Sequence, residues 1–336
     1  MDNLFKIRVL TAAVNEIMAP ARKVYNKFFA GREHMEPSDR LAFDVITGSQ
    51  KLLGNISIFA PATVTDKTGR KTITLTAPRL ANKRMIHTAE LNATRAFGDQ
   101  VSVEMMKDRI ARELKDMRNE HDRTLEFWAC NALKGIIYDR DMSTVLVNYN
   151  MDATHTPTLE GTDLWTAAAS DPIAKIRSWK RLIEDDSNAA ITGWEAIVGF
   201  NAMSALLTNS SVLTLLKYEK GRRMAEEGDV ERLAGVALEE YSGSYLDDAG
   251  GRQRFIGDDY FMLVGMCEDL TDVPYAPIVD DAAPGGVGNI DATGRGVMFF
   301  SKSWANEDPS GRWIKAETRP IPVLQRPGAV IYAKVV

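Results

Sequence analysis

Residues 102–134 form the stretch that most constrains how this chain can fold. Apolar side chains recur there mostly three or four positions apart, at Val103, Met106, Ile110, Leu114, Met117, Leu125 and Trp128. This spacing predicts a single α-helix with one apolar stripe, and charged residues of both signs fill its other faces. Asp99 or Ser102 can cap its start, and Gly135 follows as a stop. Such a helix would be a rod of roughly 45–50 Å, far longer than the average globular helix.

Length and composition indicate a globular chain of more than one lobe. At 336 residues it is too long for one simple core. Its net charge of −5 argues against a dedicated nucleic-acid binder. No apolar run approaches the roughly twenty residues of a membrane span, and no signal peptide is visible. Cys130 and Cys267 are predicted to be two buried free thiols of a protein in a reducing compartment.

The N-terminal 30 residues are more apolar than a free terminus should be. They predict a short helix, a break at Pro20 and an extended arm that includes Phe28 and Phe29. An apolar terminal segment of this kind must be tied down by packing.

A β-hairpin is predicted after a short strand and turn at residues 43–53. Its strands are residues 56–64 and 70–76, and residues 66–69 form a polar tip that ends in glycine. Because a lone two-stranded hairpin is marginal in water, we expect it to lie on its own chain or on another copy.

The rest of the chain mixes predicted helices and strands, which is typical of an α+β protein. Residues 77–98 lead to the long helix, and residues 272–296 are predicted to be a long surface loop because they are rich in proline and glycine. Strands are predicted at 144–149, 191–200, 261–264, 297–301, 313–319 and 330–335, helices from Asp171 and over 202–216, and a hairpin around the turn 247–251.

A search for catalytic motifs is negative. The sequence has no glycine-rich phosphate loop, no paired-histidine zinc motif and no hydrolase-type serine elbow, and its cysteines lack metal-site spacing. We therefore predict no catalytic residue, no metal ligand and no cofactor. The chain is not expected to be an enzyme.

Three weaker candidates have an ordinary structural interpretation beside a functional one. His121 lies on the apolar stripe and could transfer protons, but a core histidine bonded to a local acceptor is favoured. The acidic residues of 226–231 could hold a divalent cation, but a solvated surface is favoured, as it is for Asp280 and Asp281. For Lys67, Arg70 and Lys71 near the hairpin tip, contact with a phosphate or an acidic partner and simple solvation are equally supported.

Taken in order, the chain resembles the lambda-type major capsid proteins of tailed phages, the capsid protein E family. The resemblance runs nearly end to end, and it is specific in the order and spacing of its pieces rather than in any single motif. Those pieces are 10–15, Pro20, Phe28 and Phe29, Phe43 and Asp44, Gly48, 95–98, 241–245, 247–251, 275–277, 302–304, Asp308 and Pro309, 320–322, and 326–327.

The resemblance implies the Hong Kong 97-type capsid fold. It assigns the long helix as the spine of a peripheral domain, the hairpin as a loop that reaches over a neighbouring subunit, and the middle of the chain as an axial domain at the capsomer centre. The implied ranges are 1–50 for the N-terminal arm and lead-in, 51–85 for the extended loop, 86–165 for the peripheral domain with its helix at 102–134, 166–295 for the axial domain, and 296–336 for strands that return to the peripheral domain.

The implied function is a structural head protein that assembles as hexamers and pentamers into an icosahedral shell around double-stranded DNA. We expect localisation in the virion, assembly in the host cytoplasm, a separate scaffold, a portal, a candidate decoration protein, and no sequence-specific DNA contact. Two alternatives are a bacterial nanocompartment shell and a cytosolic oligomeric enzyme with a site near Asp247 or Asp280. The expected inter-subunit contacts are Phe28, Phe29, Val64, Asp66, Lys67, Arg70, Lys71, Ile73 and Leu75.

Overall fold

The computed structural model describes the chain as two compact units and a set of well-defined elements. The first unit comprises residues 1–41, 74–129 and 272–323, and the second comprises 42–73, 130–271 and 324–336. The residues that the structure describes are 7–16, 22–47, 69–87, 101–219, 232–280, 282–283 and 297–336. The five ranges and roles expected from the resemblance stay a prediction.

The elements follow one another as a mixture of helices and short strands. The helices are α1 (Ile7–Glu16), α2 (Lys23–Phe28), α3 (Val101–Leu133), α4 (Pro172–Asp186), α5 (Phe200–Thr208) and α6 (Ser210–Glu219). The strands are β1 (Glu33–Met35), β2 (Arg40–Thr47), β3 (Gly69–Thr76), β4 (Leu80–His87), β5 (Ile136–Tyr138), β6 (Val145–Asn148), β7 (Gly193–Val198), β8 (Arg232–Leu233), β9 (Val236–Glu240), β10 (Ser244–Leu246), β11 (Arg252–Arg254), β12 (Tyr260–Met266), β13 (Thr271–Tyr275), β14 (Phe300–Asn306), β15 (Gly311–Thr318), β16 (Val323–Leu324) and β17 (Val330–Lys334).

The long helix is confirmed as α3, which has 33 residues. Its stripe is buried from Ile110 to Trp128, with Met117 and Leu125 fully inaccessible to solvent. Gly135 follows it at φ +96°, a left-handed conformation that suits a helix stop. A Cβ at this glycine would also lie 2.5 Å from the sulfur of Met151, so that side chain would have to move.

In the first unit, a three-stranded antiparallel sheet of order β14-β15-β4 packs one face on α3. Asn82 Nδ2 and the Arg84 guanidinium, both on β4, donate to Glu120 of α3 at 2.6 and 2.5 Å. On the adjacent strand β15, Ile314, which is paired with Arg84, is fully buried. This arrangement corrects the prediction for residues 77–98, which contain a strand rather than only a lead-in.

The free edge of β14 in this sheet is covered by α1. The Thr11 hydroxyl donates to the carbonyl of Ser301 at 3.1 Å and accepts from its N–H at 3.2 Å. Asn15 Nδ2 donates to the Phe299 carbonyl at 3.0 Å. The predicted N-terminal helix is therefore confirmed, and it satisfies backbone groups that a strand edge would otherwise expose.

The second unit is built on a five-stranded sheet of order β17-β12-β7-β9-β8. Strand β12, which lies between β17 and β7, is buried from Phe261 to Val264 because both faces are covered. On one face, Trp165 and Trp179 pack on Phe261 with ring centroids 4.9 and 6.0 Å away. The predicted helix from Asp171 is confirmed as α4, whose first N–H groups at Ile173 and Ala174 donate to the Asp171 carboxylate.

Three other sequence predictions need correction. Residues 23–28 form the helix α2 and not an extended arm. The segment 202–216 is divided into two helices at Asn209, whose extended backbone ends α5 and whose side chain accepts from Ser211 N–H. Residues 272–275, expected at the start of a surface loop, belong to the strand β13, which pairs in parallel with β1.

Candidate inter-subunit contact surfaces

The strands β2 and β3 form a two-stranded sheet, which we call the ribbon. On β2, Phe43 and Val45 are each only 5% exposed, and the Phe43 ring lies 6.3 Å from that of Tyr149. On β3, Thr72, Thr74 and Thr76 are exposed while Ile73 and Leu75 are half-buried. In the described part of the chain, no third strand pairs with the ribbon.

The predicted strand at 70–76 is thus confirmed as β3, but its described neighbour is β2. The predicted partner 56–64 lies outside the described residues, and so do Val64, Asp66, Lys67 and the first part of the predicted tip. Arg70 belongs to β3, and Lys71 is exposed. Ile73 and Leu75 alternate with exposed threonines along one strand, as the sequence pattern predicts.

Phe28 and Phe29 are buried within their own chain, at 3% and 0% exposure. The ring of Phe29 stacks on that of Tyr25 with centroids 6.0 Å apart. Their contact with a sister subunit stays a prediction, and any such contact would have to form around side chains that are already covered.

The segment that carries these rings is fixed to α3 by a buried carboxylate. Glu126 is 3% exposed, and its two oxygens accept the N–H groups of Val24 and Tyr25, each at 2.9 Å. A helix start needs acceptors for its first N–H groups, and a carboxylate there gives charge-assisted bonds. This explains why residues 23–28 are helical although their own sequence offers no cap.

A buried ionic cluster lies one turn earlier on α3. The Asp122 carboxylate has no solvent exposure, and it accepts from Arg118 Nε at 3.0 Å and lies 3.0 Å from Arg22 Nη1. Burial lowers the pKa of Arg118, and Asp122 opposes this effect. Arg118 also lies over the ring of Phe299, with its Cζ 3.3 Å from the centroid. The N-terminal segment is therefore tied to α3 by charges that water does not screen.

His121 is a buried core histidine, which confirms the interpretation favoured from the sequence. It is 4% exposed, and its Nε2 lies 3.1 Å from Oδ1 of Asn82. Burial, with help from the positive charge of Arg118, lowers the pKa of His121 to about 4. The imidazole is therefore neutral near pH 7.

This histidine should make the folded chain sensitive to mild acid. Its pKa is lower in the folded state than the ordinary 6.5, so the unfolded chain takes up a proton first as the pH falls. We expect the free energy of unfolding to drop by about 3 kcal/mol between pH 6.5 and 4 through this group. Urea unfolding of the wild type and His121→Gln at pH 8, 6.5 and 5 tests it. Equal pH dependence in both chains would contradict the prediction.

A second ionic cluster lies on the face of the β14-β15-β4 sheet that points away from α3. The Glu317 side chain, which is fully buried, accepts from Arg79 at 2.8 and 2.9 Å and also pairs with Lys315. Asp280 lies 2.5 Å from Lys302 Nζ and 3.5 Å from Lys315 Nζ, and its side chain is 8% exposed. The expected solvated surface at Asp280 is therefore wrong, while Asp281 and residues 226–231 lie outside the described residues.

Glu317 gives a prediction in a lower pH range. Burial raises its pKa, but the bonds from Arg79 and Lys315 outweigh this and hold the pKa below 4.5. A lowered folded-state pKa stabilises the fold above the unfolded value, and this contribution is lost as the pH falls through the folded pKa. Glu317→Gln should thus be less stable than the wild type at pH 7, with a difference that shrinks below about pH 4.5. Urea unfolding at pH 7 and 3 measures this, with the exposed Glu307→Gln as control; a constant difference would contradict the prediction.

Beyond these clusters, the described residues show no candidate metal site. Among them, no three His, Cys, Asp or Glu side chains are placed to hold a metal ion. Cys130 and Cys267 are buried thiols that form no disulfide, as predicted. None of the helices within the described ranges is both long and apolar enough to cross a bilayer.

The fold is that of the phage capsid proteins of the Hong Kong 97 type. A protein described as a capsid protein of a prophage of E. coli CFT073 superposes with a TM-score of 0.64 at 17% identity, over 98% of this chain and 99% of that one. A phage-related protein from Bordetella bronchiseptica RB50 gives 0.57 at 10% identity, over 97% and 96%. The capsid of cyanophage Pam1 gives 0.54 at 12% identity, over 95% and 94%.

The family follows from the sequence itself. The family model of phage major capsid protein E matches residues 6–335, so the chain belongs to that family. No curated protein matches the chain in sequence. Membership of this family gives the chain a structural role in the shell of a virion. The family therefore favours this role over the nanocompartment and enzyme alternatives.

Proposed function

We propose that this chain assembles as hexamers and pentamers into the icosahedral head of a phage, which encloses double-stranded DNA. The observation that carries the proposal is the ribbon, a two-stranded sheet that leaves Ile73 and Leu75 partly exposed. Phe43 and Val45 already pack the ribbon on its own chain, but the half-buried Ile73 and Leu75 leave apolar area that a further surface would cover. In a shell, that surface belongs to a neighbouring subunit.

The contact between subunits is then heterologous, because the ribbon of one copy lies on a different surface of the next. Heterologous contacts close into rings when the rotation between copies permits it. The proposed contact comprises Val64, Asp66, Lys67, Arg70, Lys71, Ile73 and Leu75. Residues 1–29, with Phe28 and Phe29, are proposed as a clamping arm, and residues 272–294 as part of the axial region.

The proposal includes the partners that a phage head requires. These are a separate scaffold, a portal and a candidate decoration protein, with assembly in the host cytoplasm. The packaged DNA would be held without sequence-specific contact, which the net charge of −5 supports because tight phosphate binding needs many Lys and Arg contacts. We propose no enzymatic activity for the chain.

Microscopy of the purified full chain tests the proposal directly. Negative-stain images should show closed, round shells of uniform size, and particles from phage-producing cells should protect DNA from added nuclease. Small closed oligomers would contradict the assembly. Shells that hold a protein cargo instead of DNA would contradict the enclosed genome.

A further inference from the structure

The outer face of the β14-β15-β4 sheet, which points away from α3, carries three lysines in one cross-strand row. Lys302 of β14 is paired with Lys315 of β15, which is paired with Lys83 of β4. Directly opposed side chains of an antiparallel sheet lie on the same face, where like charges destabilise the pairing. Asp280 offsets part of this repulsion by its contacts to Lys302 and Lys315.

Lys83 stands apart from these ion pairs. It is exposed, and within the described residues it forms no ion pair with a carboxylate; its ammonium lies 4.9 Å from the centroid of the Trp313 ring. On this part of the outer face, the described ion pairs of Arg79, Lys302 and Lys315 are made with two carboxylates, those of Asp280 and Glu317. The face is locally positive, although the whole chain carries a net charge of −5.

A row of large apolar side chains runs beside the lysine row. Trp304 is paired with Trp313, which is paired with Met85, and the two indole rings stack with centroids 6.4 Å apart. Trp304 is 38% exposed, which is unusual for a tryptophan on a sheet surface. The two rows are two residues apart along each strand, or about 6.6 Å.

We propose that this outer face binds an acidic polypeptide segment of another protein in an extended conformation. In such a segment, side chains on one face repeat every two residues at about 6.6 Å, which matches the spacing of the two rows. A carboxylate would then lie against Lys83 and Lys302, and a large apolar side chain two positions later would lie on Trp304. The partner is thus defined as a segment with the pattern acidic-x-apolar.

Duplex DNA fits this face less well. Its affinity comes from many phosphate contacts, whereas Lys315 is covered and both Lys302 and Lys315 already have Asp280 as a partner. The exposed Trp304 adds apolar area, which a phosphate backbone does not use. A carboxylate beside an apolar side chain uses both features of the surface.

The test uses the purified full chain before assembly and a fluorescently labelled peptide Glu-Ser-Leu-Ser-Glu-Ser-Leu-Ser. Fluorescence anisotropy should show salt-sensitive binding, and a peptide with Gln in place of Glu should not bind. Lys83→Glu should weaken binding about tenfold or more, since it reverses a charge at the contact. Trp304→Ser should weaken it by a similar factor. Lys115→Glu, at an exposed lysine of α3 outside this face, should leave binding unchanged.

Unchanged urea midpoints for Lys83→Glu and Lys115→Glu would show that both variants fold. The proposal is overturned if the peptide binds Lys83→Glu and Lys115→Glu equally. It is also overturned if random-sequence duplex DNA displaces the peptide from the chain, or if self-association of the chain displaces the peptide. Because the assay needs no shell, its failure would leave the proposed assembly standing, and failed assembly would leave this result standing.

Discussion

The double variant Ile73→Asp/Leu75→Asp is expected to remain a soluble subunit and to form no closed shells. Both side chains are half-buried on β3, in a ribbon without a third described strand. Contact with a neighbouring subunit would bury two new carboxylates without partners, and each buried unpaired charge costs several kcal/mol. Shell yield, measured by negative-stain microscopy and size-exclusion chromatography, should fall about 100-fold or more.

The matched control places the same charges on the other face of the same strand. Thr74 and Thr76 are exposed and alternate with Ile73 and Leu75. Thr74→Asp/Thr76→Asp should therefore lower the shell yield far less. Normal shells from the first variant would disprove the ribbon contact, whereas equal failure of both variants would show that charge on β3, and not this face, is what matters.

The variant Asp122→Asn is expected to lose about 3–5 kcal/mol of unfolding free energy, the usual cost of removing one partner from a buried ion pair. Its carboxylate is fully buried between Arg22 and Arg118, which are themselves largely covered. Without the negative charge, two guanidinium groups remain in a poorly solvated site. Urea unfolding of the full chain at pH 7 measures the loss.

Asp116→Asn is the matched control on the same helix. Its carboxylate is 60% exposed and lies 3.6 Å from Arg84, so its ion pair is at the surface. Its loss should stay within about 0.5 kcal/mol. If Asp122→Asn were no less stable than Asp116→Asn, the buried cluster would not fix the N-terminal segment as we infer.

Local patterns in the sequence predict the elements whose stability is local. The stripe of α3 and the stop at Gly135 are read directly from a 3.6-residue period and one glycine. The start of α4 is likewise set by Asp171, whose carboxylate accepts the N–H groups of the residues two and three positions later. In these cases the residues that decide the structure are neighbours in the sequence.

The missed elements depend on partners far along the chain. β4 lacks apolar alternation because its inward positions Asn82 and Arg84 are polar and bond to α3. The helix α2 is capped by Glu126, about one hundred residues away. Asp280 looked solvated because the lysines that bury it come from two later strands. Periodicity cannot reveal a carboxylate whose cation is distant in sequence.

The hydroxyl of Thr11 bears on the tendency of this chain to aggregate through the edge of β14. An uncovered strand edge can recruit further strands and start a fibre, and the hazard grows with concentration. Thr11 occupies both the N–H and the carbonyl of Ser301, so this edge offers an incoming strand no free pair at that point. In a protein made in many copies, this contact disfavours strand addition at that point of the edge.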